Sequence, residues 1–419
     1  MNDIWLAGSI FLLTYALIVS ERLHRTISAL LGGIAMILFV IPQELAFQAI
    51  DWNVIFLLAG MMIIANVLKE TGLFQWIALQ AVRLGKGEPY RVLIILSLIT
   101  AVASALLDNV TIVVLIAPVT LFVASTLRVN PVPFLIAEIL ASNIGGMATL
   151  IGDPPNILIG SAAEIDFISF LLNLGPISFI ILMVFFGLAH WLFNKELTIH
   201  GQDGTPIPEL DTDALITDPV LLRKSLIVMT GVILGFLVHG ALHLEPATIA
   251  LTGATLLMIW GKTDPHLALR EIEWTTLFFF FGLFITVEAI VHVGLIEIVA
   301  DAALRITGSD VTLTSLLLIW FSAIASGIVD NIPYTATMIP IVKSLSQVMP
   351  AEPLWWSLAL GACLGGNLTI VGAAANVVVV SLAEKSGHPI SFKHFLRYGA
   401  IITIMSLALA TGYVWLRYL

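Results

Sequence analysis

Cysteine is nearly absent: Cys363 is the only one in 419 residues. That excludes an internal disulfide framework and any cysteine-rich metal site. Charge is scarce as well, at 11% of residues, where a soluble domain carries about 25%. The nine histidines fall in no metal-ligand spacing. There is no G-x-x-x-x-G-K-[ST] phosphate loop, so ATP is not expected to drive this chain by itself. There is no H-E-x-x-H run to mark an intramembrane protease. No enzyme activity, resident cofactor or nucleic-acid partner is expected.

What the chain has is apolar length. Hydrophobic residues make up 59% of it, and the mean hydropathy is +1.04. Water solvates such a chain poorly, so lipid is its expected solvent. A helix needs about 20 apolar residues to cross a bilayer. Spans are expected near 4–20, 26–42, 53–69, 132–165 and 174–193, then near 223–241, 246–261, 274–291, 353–386 and 398–417. The first lacks a basic flank and a cleavage motif, and reads as an uncleaved span. The stretches 91–127 and 312–348 are each long enough for two passes with a polar tip between, and read as re-entrant hairpins.

These elements repeat. IDWNVIFLLAGMMIIANVLKETGL (50–73) matches IEWTTLFFFFGLFITVEAIVHVGL (272–295) at an offset of 222 residues, which also carries Asp108-Asn109 onto Asp330-Asn331. An offset of 220 carries GGMATLIGDPPN (145–156) onto GGNLTIVGAAAN (365–376). A polar, acidic, Gly- and Pro-bearing segment separates the halves and reads as a cytoplasmic linker. The expected division is a first repeat over 1–198, the linker over 199–220 and a second repeat over 221–419. With the amino terminus outside, 15 of the 18 basic residues fall inside, leaving Arg305, Lys343 and Arg417. Five spans per half is odd, so the second half enters the membrane inverted. The expected fold is all-α and integral to the membrane, with ten transmembrane helices, two re-entrant hairpins and two inverted five-span repeats. Both termini then face out of the cytoplasm, across the cell's inner membrane.

Four polar breaks interrupt the apolar runs: ASALLDNVTIVVLIAPV (103–119), ASGIVDNIPYTATMIPIV (325–342), ASNIGGMATLIGDPPNILIG (141–160) and GACLGGNLTIVGAAANVVVV (361–380). Unpaired backbone in lipid costs several kcal/mol per group, so such breaks belong where the chain lines a cavity or binds something. Matched breaks in two halves point to a transport site. Asp108 and Asp330 are the sharpest residues, since a carboxylate at membrane depth is costly and usually functional. Either one carries a proton, attracts a cation or caps a hairpin arm. Asp153 has Ala373 opposite it in the second half, which suggests two unequal sites. Glu138, two turns before a Gly pair, is a further proton-carrier candidate. Glu288, nearer a span end, reads as structural. Cys363 reads either as a small core residue or as a contact for a soft ion such as trivalent arsenic.

The motifs Asp108-Asn109-Val110-Thr111, ASNIGGMATLIGDPPN, Asp330-Asn331-Ile332-Pro333 and GGNLTIVGAAAN resemble those of the ion transporter superfamily. Within it they are most similar to the arsenite-permease and sodium–proton antiporter (ArsB/NhaD) family, itself related to divalent-anion sodium symporters. The resemblance covers nearly the whole chain. It implies an elevator-type carrier whose hairpins and broken helices move against a scaffold. By position it places Asn109, Thr111, Asn143, Gly145, Thr149, Asn156, Asn331, Gly365, Asn367, Thr369 and Asn376 at the substrate site, with Asp108 and Asp330 standing where the symporters have serine. A homodimer, and a cytosolic ATPase subunit by family analogy, are partners that it allows. Two carboxylates facing one pocket repel a dianion, which favours a cation or a neutral solute. The expected function is proton-coupled efflux of arsenite or antimonite. A sodium–proton antiporter is the alternative, with a sodium-coupled dicarboxylate or citrate carrier behind it. The coupling ion is H+ or Na+, carried by Asp108, Asp330, Glu138 or Asp153.

Overall fold

The computed structural model describes residues 2–20, 22–194, 196–197 and 215–419, and among these residues it is helical, with no strand. The first half runs through α1 (Asn2–Ser20), α2 (Arg25–Phe39), α3 (Gln43–Gln48), α4 (Trp52–Glu70), α5 (Leu73–Leu84), α6 (Pro89–Leu106), α7 (Asn109–Thr126), α8 (Val132–Gly146), α9 (Pro154–Ala163) and α10 (Phe167–Phe193). The second runs through α11 (Pro219–Leu242), α12 (Pro246–Gly261), α13 (Pro265–Arg270), α14 (Trp274–His292), α15 (Leu295–Thr307), α16 (Val311–Val329), α17 (Asn331–Leu345), α18 (Ala351–Gly365), α19 (Ala374–Lys385) and α20 (Phe392–Tyr418). Lys195 and positions 199–214 of the expected linker lie outside the described residues. The linker's end docks on α4: Thr217 donates its N–H to Thr71 O at 3.0 Å and its hydroxyl to Glu70 O at 2.7 Å.

Nine helices among the described residues are long and apolar enough to cross a membrane, and α2, α8 and α12 are apolar but shorter. Every expected span falls on helix. Those over 132–165 and 353–386 are two helices each, α8 with α9 and α18 with α19, parted by unwound chain and, in the second, a 3-10 turn (Ile370–Gly372). The hairpins are α6–α7 and α16–α17. Two boundaries differ from expectation. α10 begins at Phe167, not 174, and α20 at Phe392, not 398. Asp166 and Ser391 cap these starts by accepting from Ser169 N and His394 N. Pro176 stays inside α10, as membrane helices tolerate.

The sequence reading missed α5 and α15. Each is too polar on one side to read as a span, yet buries a face: Phe74, Ala78 and Val82 in α5, Ile296 and Ala300 in α15. Gly72 and Gly294 turn the chain into them at φ +79° and +78°, where a side chain would be strained.

Helices related by the repeat make corresponding contacts. α6 packs on α8 as α16 packs on α18, α2 on α14 as α12 on α4, and α7 on α19 as α17 on α9. α8 is buried over its whole length and α18 from Pro353 onward. The broken helices are therefore the centre of the molecule. α1, α2, α4, α11, α12 and α14 pack chiefly on one another and frame that centre.

Candidate functional site

The hairpin tips form because an aspartate ends one helix and caps the next. Leu107 leaves α6 in extended backbone, and Asp108 accepts from Val110 N and Thr111 N, both at 3.0 Å, to start α7. Asp330 does the same for α17, accepting from Ile332 N at 2.9 Å. The capping role weighed for both residues is thus present. The tips still differ. Asp330 sits at φ +91°, ψ 136°, close to a region reserved for glycine and costing about 1–3 kcal/mol for other residues. Its carboxylate faces Arg25 of α2, with Nη1 to Oδ2 at 3.4 Å. The 222-residue offset sets Ala247 opposite Arg25, so Asp108 gets no matching cation. Glu273, the residue preceding α14, lies within electrostatic reach of both Asp108 and Arg25.

The unwound stretches are held by side chains that replace the missing helical bonds. Asn156 donates to Met147 O (3.1 Å) and Thr149 O (2.8 Å); Asn376 donates to Gly366 O (2.6 Å) and Thr369 O (2.9 Å). Thr149 and Thr369 turn their hydroxyls to the hairpins, onto Ala105 O (2.6 Å) and Gly327 O (2.5 Å). Gly145 and Gly365 serve close packing. A Cβ on Gly145 would lie 2.1 Å from Ala101 O, and one on Gly365 would lie 2.4 Å from Ala323 O. These expected substrate contacts act here as the frame that docks each hairpin on its broken helix.

The two halves meet at Asp153, which is fully buried. Asn109 donates to its Oδ1 at 3.1 Å, and Asn331 reaches both carboxylate oxygens at 3.3 Å. One carboxylate thus holds both hairpin tips. Asn143 receives Asn109 on its Oδ1 (3.3 Å) and donates to Asn367 Oδ1 (2.9 Å) and Asn376 Oδ1 (3.1 Å). The 220-residue offset carries Asn143 to Cys363, and Cys363 does the corresponding work, donating its thiol to Asn156 Oδ1 at 3.3 Å. The buried Oδ1 of Asn109 has no partner among the described residues.

Other candidates lie apart. Glu138 accepts a short hydrogen bond from the Thr120 hydroxyl between α8 and α7. Glu288 lines a separate cavity with Asp51 and Lys343. Arg25 was missed as a site residue. Arg25 reads in sequence as a positive-inside anchor, and its partner is 305 positions away. A cavity of about 320 Å³ opens between Arg25, His24, Asp330 and the first turn of α19. Among the described residues no three His, Cys, Asp or Glu side chains could hold a metal ion.

Comparison with known proteins places the chain in a family. The model of the citrate transporter family matches residues 15–361. An uncharacterized transporter of Mycobacterium bovis is 46% identical over 98% of each chain. A 46 kDa membrane protein of Mycobacterium leprae is 45% identical over 99% of each. Human P protein is 35% identical over 99% of this chain and 60% of its own length. The YdaH transporter of Alcanivorax borkumensis shares the fold, with a TM-score of 0.63 over 88% of this chain and 86% of that one, at 13% identity. Matched over most of its length by the family model and nearly end to end by such relatives, this chain belongs to the citrate transporter family of secondary membrane transporters.

Proposed function

We propose that the chain exports arsenite or antimonite in exchange for protons, as an elevator-type carrier of two inverted halves in the cell's inner membrane. The observation that carries this reading is the charge at the tips. Asp330 faces Arg25, Asp153 lies within electrostatic reach of Asp330, and Asp108 caps the other tip, whose Asn109 binds Asp153. Such a site is net negative unless it takes up protons, and it repels a multiply charged anion. Arsenous acid is neutral near pH 7 and offers hydroxyls to the Asn109 amide and to the carboxylates. Cys363 is engaged with Asn156 and stands beside Asp153, and in this reading its thiol is not a ligand of the passenger. Asp153 is the coupling carboxylate in this reading, because its charge state decides whether it binds both tip amides. Arg25 is the ion-pair partner of Asp330.

A second reading is sodium–proton antiport, favoured by the open Asn109 Oδ1 beside Asp153. Carboxylate and amide oxygens are suitable ligands for a hard cation. A citrate-type anion, as the family's description suggests, would have to use Arg25 against three carboxylates.

The test uses purified protein in liposomes under an imposed pH gradient. Arsenite flux and sodium-induced proton movement are followed side by side, for the parent and for Asp153→Asn. Expected is gradient-driven arsenite flux that Asp153→Asn abolishes. Proton release on adding sodium, without arsenite flux, would replace this reading with the antiporter. Arsenite flux unaltered in Asp153→Asn would remove Asp153 from coupling.

A further inference from the structure

Helices of the frame and helices of the centre touch unequally at the two ends of the molecule. α4 packs on α9, α11 on α10, and α1 on α16. The offset-related pairs, α14 with α19, α1 with α20, and α11 with α6, show no comparable packing. All three packed pairs join frame to centre. In two inverted halves, a contact and its offset-related counterpart lie on opposite faces of the membrane. The structure is then closed on one face and open on the other.

One hydrogen bond marks the closed face. Ser161, in α9, donates its hydroxyl to Asp51 Oδ2, at the head of α4, at 2.5 Å. Asp51 also caps α4 through Oδ1, accepting from Val54 N at 3.2 Å. The 222-residue offset carries Asp51 to Glu273, and the 220-residue offset carries Ser161 to Ser381. Both chemistries recur, a carboxylate before a frame helix and a hydroxyl on the second half of a broken helix. Yet Glu273 and Ser381 are not bonded to each other. Glu273 accepts instead from Thr276, at 3.2 Å, and both residues are only half-buried.

We infer that Glu273 and Ser381 form the latch of the oppositely open state, replacing the Asp51–Ser161 bond when the centre moves across the frame. This rests on the alternating, two-halved reading above. The two bonds exclude one another, because each forms where its end of the frame closes on the centre. The longer glutamate arm reaches further than Asp51, and movement takes it away from Thr276. Ser161 and Ser381 are thereby positioning residues for alternation and do not contact the passenger.

The test starts from full-length Cys363→Ser protein in liposomes. Two cysteine pairs are oxidised, Asp51→Cys with Ser161→Cys and Glu273→Cys with Ser381→Cys. Both pairs are expected to form disulfides, each halting transport until a reductant is added. If the first pair links without halting transport, the alternating reading fails. If the first pair halts transport and the second never links, that reading stands and the latch is overturned. A second measurement separates latch from fold. In Val378→Cys protein, whose reporter lines the Arg25 cavity, maleimide labelling is timed with Ser161→Ala or Ser381→Ala added. Ser161→Ala should slow labelling and Ser381→Ala should speed it. Changes of the same sign in both would overturn the proposal.

Discussion

Asp153 and Cys363 show at the scale of single residues what the repeat conceals. Asp153 has Ala373 opposite it and, among the described residues, is the one carboxylate that binds a tip from each half. Its lack of a partner was visible in the sequence, but its central place was not, because Asn331 lies 178 positions away. Asp108, Asn109, Asp330 and Asn331 could be read directly, since each is a polar residue in an otherwise apolar run. Arg25 could not, because nothing in a line of letters separates a membrane-edge arginine from one facing a carboxylate. Cys363 is a lone thiol by composition and a hydrogen-bond donor by geometry, doing for Asn156 what Asn143 does for Asn376. Cys363→Ser keeps a donor of similar reach, and arsenite transport should be unchanged in liposomes. Cys363→Val leaves a buried amide oxygen unpaired, which costs about 1–3 kcal/mol, the low end applying because a thiol is a weak donor. Its thermal midpoint in detergent should fall while that of Cys363→Ser holds. Transport lost in Cys363→Ser would restore the soft-ion role.

At the scale of elements, the hairpins and breaks could be read because lipid makes every interrupted helix conspicuous. α5 and α15 could not. A helix half polar and half apolar resembles a loop when the search is for spans, and only the face buried against the hairpins gives it away. The Gly pairs sit in breaks that point to a site, and their small size equally suits close packing. The structure gives Gly145 to packing, where α8 meets the backbone of α6. Without a hydrophobic drive between helices in lipid, such close approach is what holds them together. Gly145→Ala puts a methyl 2.1 Å from Ala101 O, and overpacking of that kind costs roughly 1–3 kcal/mol. Because the obstacle is backbone, the hairpin must shift and take Asn109 with it. Gly145→Ala should therefore lower both thermal stability and transport. Gly187→Ala in α10, where nothing lies within 4 Å of the added carbon, should gain up to about 1 kcal/mol of helix propensity and leave transport intact. Equal behaviour of the two variants would show that the α6–α8 contact is not tight.

At the scale of the whole molecule, the halves and their ten apolar stretches followed from a 222-residue offset and from hydropathy, both long-range regularities that survive in sequence. Handedness in the membrane rests on basic residues alone, 15 of 18 on one side. The short helices α3 and α13 put it to a direct test. They are related by the same offset, and each carries an exposed residue, Glu44 in one and His266 in the other. In inverted halves these two helices lie on opposite faces of the bilayer, and in parallel halves on the same face. In right-side-out vesicles, in the Cys363→Ser background, a membrane-impermeant maleimide should label Glu44→Cys and leave His266→Cys untouched until the vesicles are opened. Labelling of both from outside would make the repeats parallel. The reverse pattern would keep the inversion but turn the molecule over, so that the Arg25 cavity would open away from the cytoplasm and the export direction would have to be reassigned.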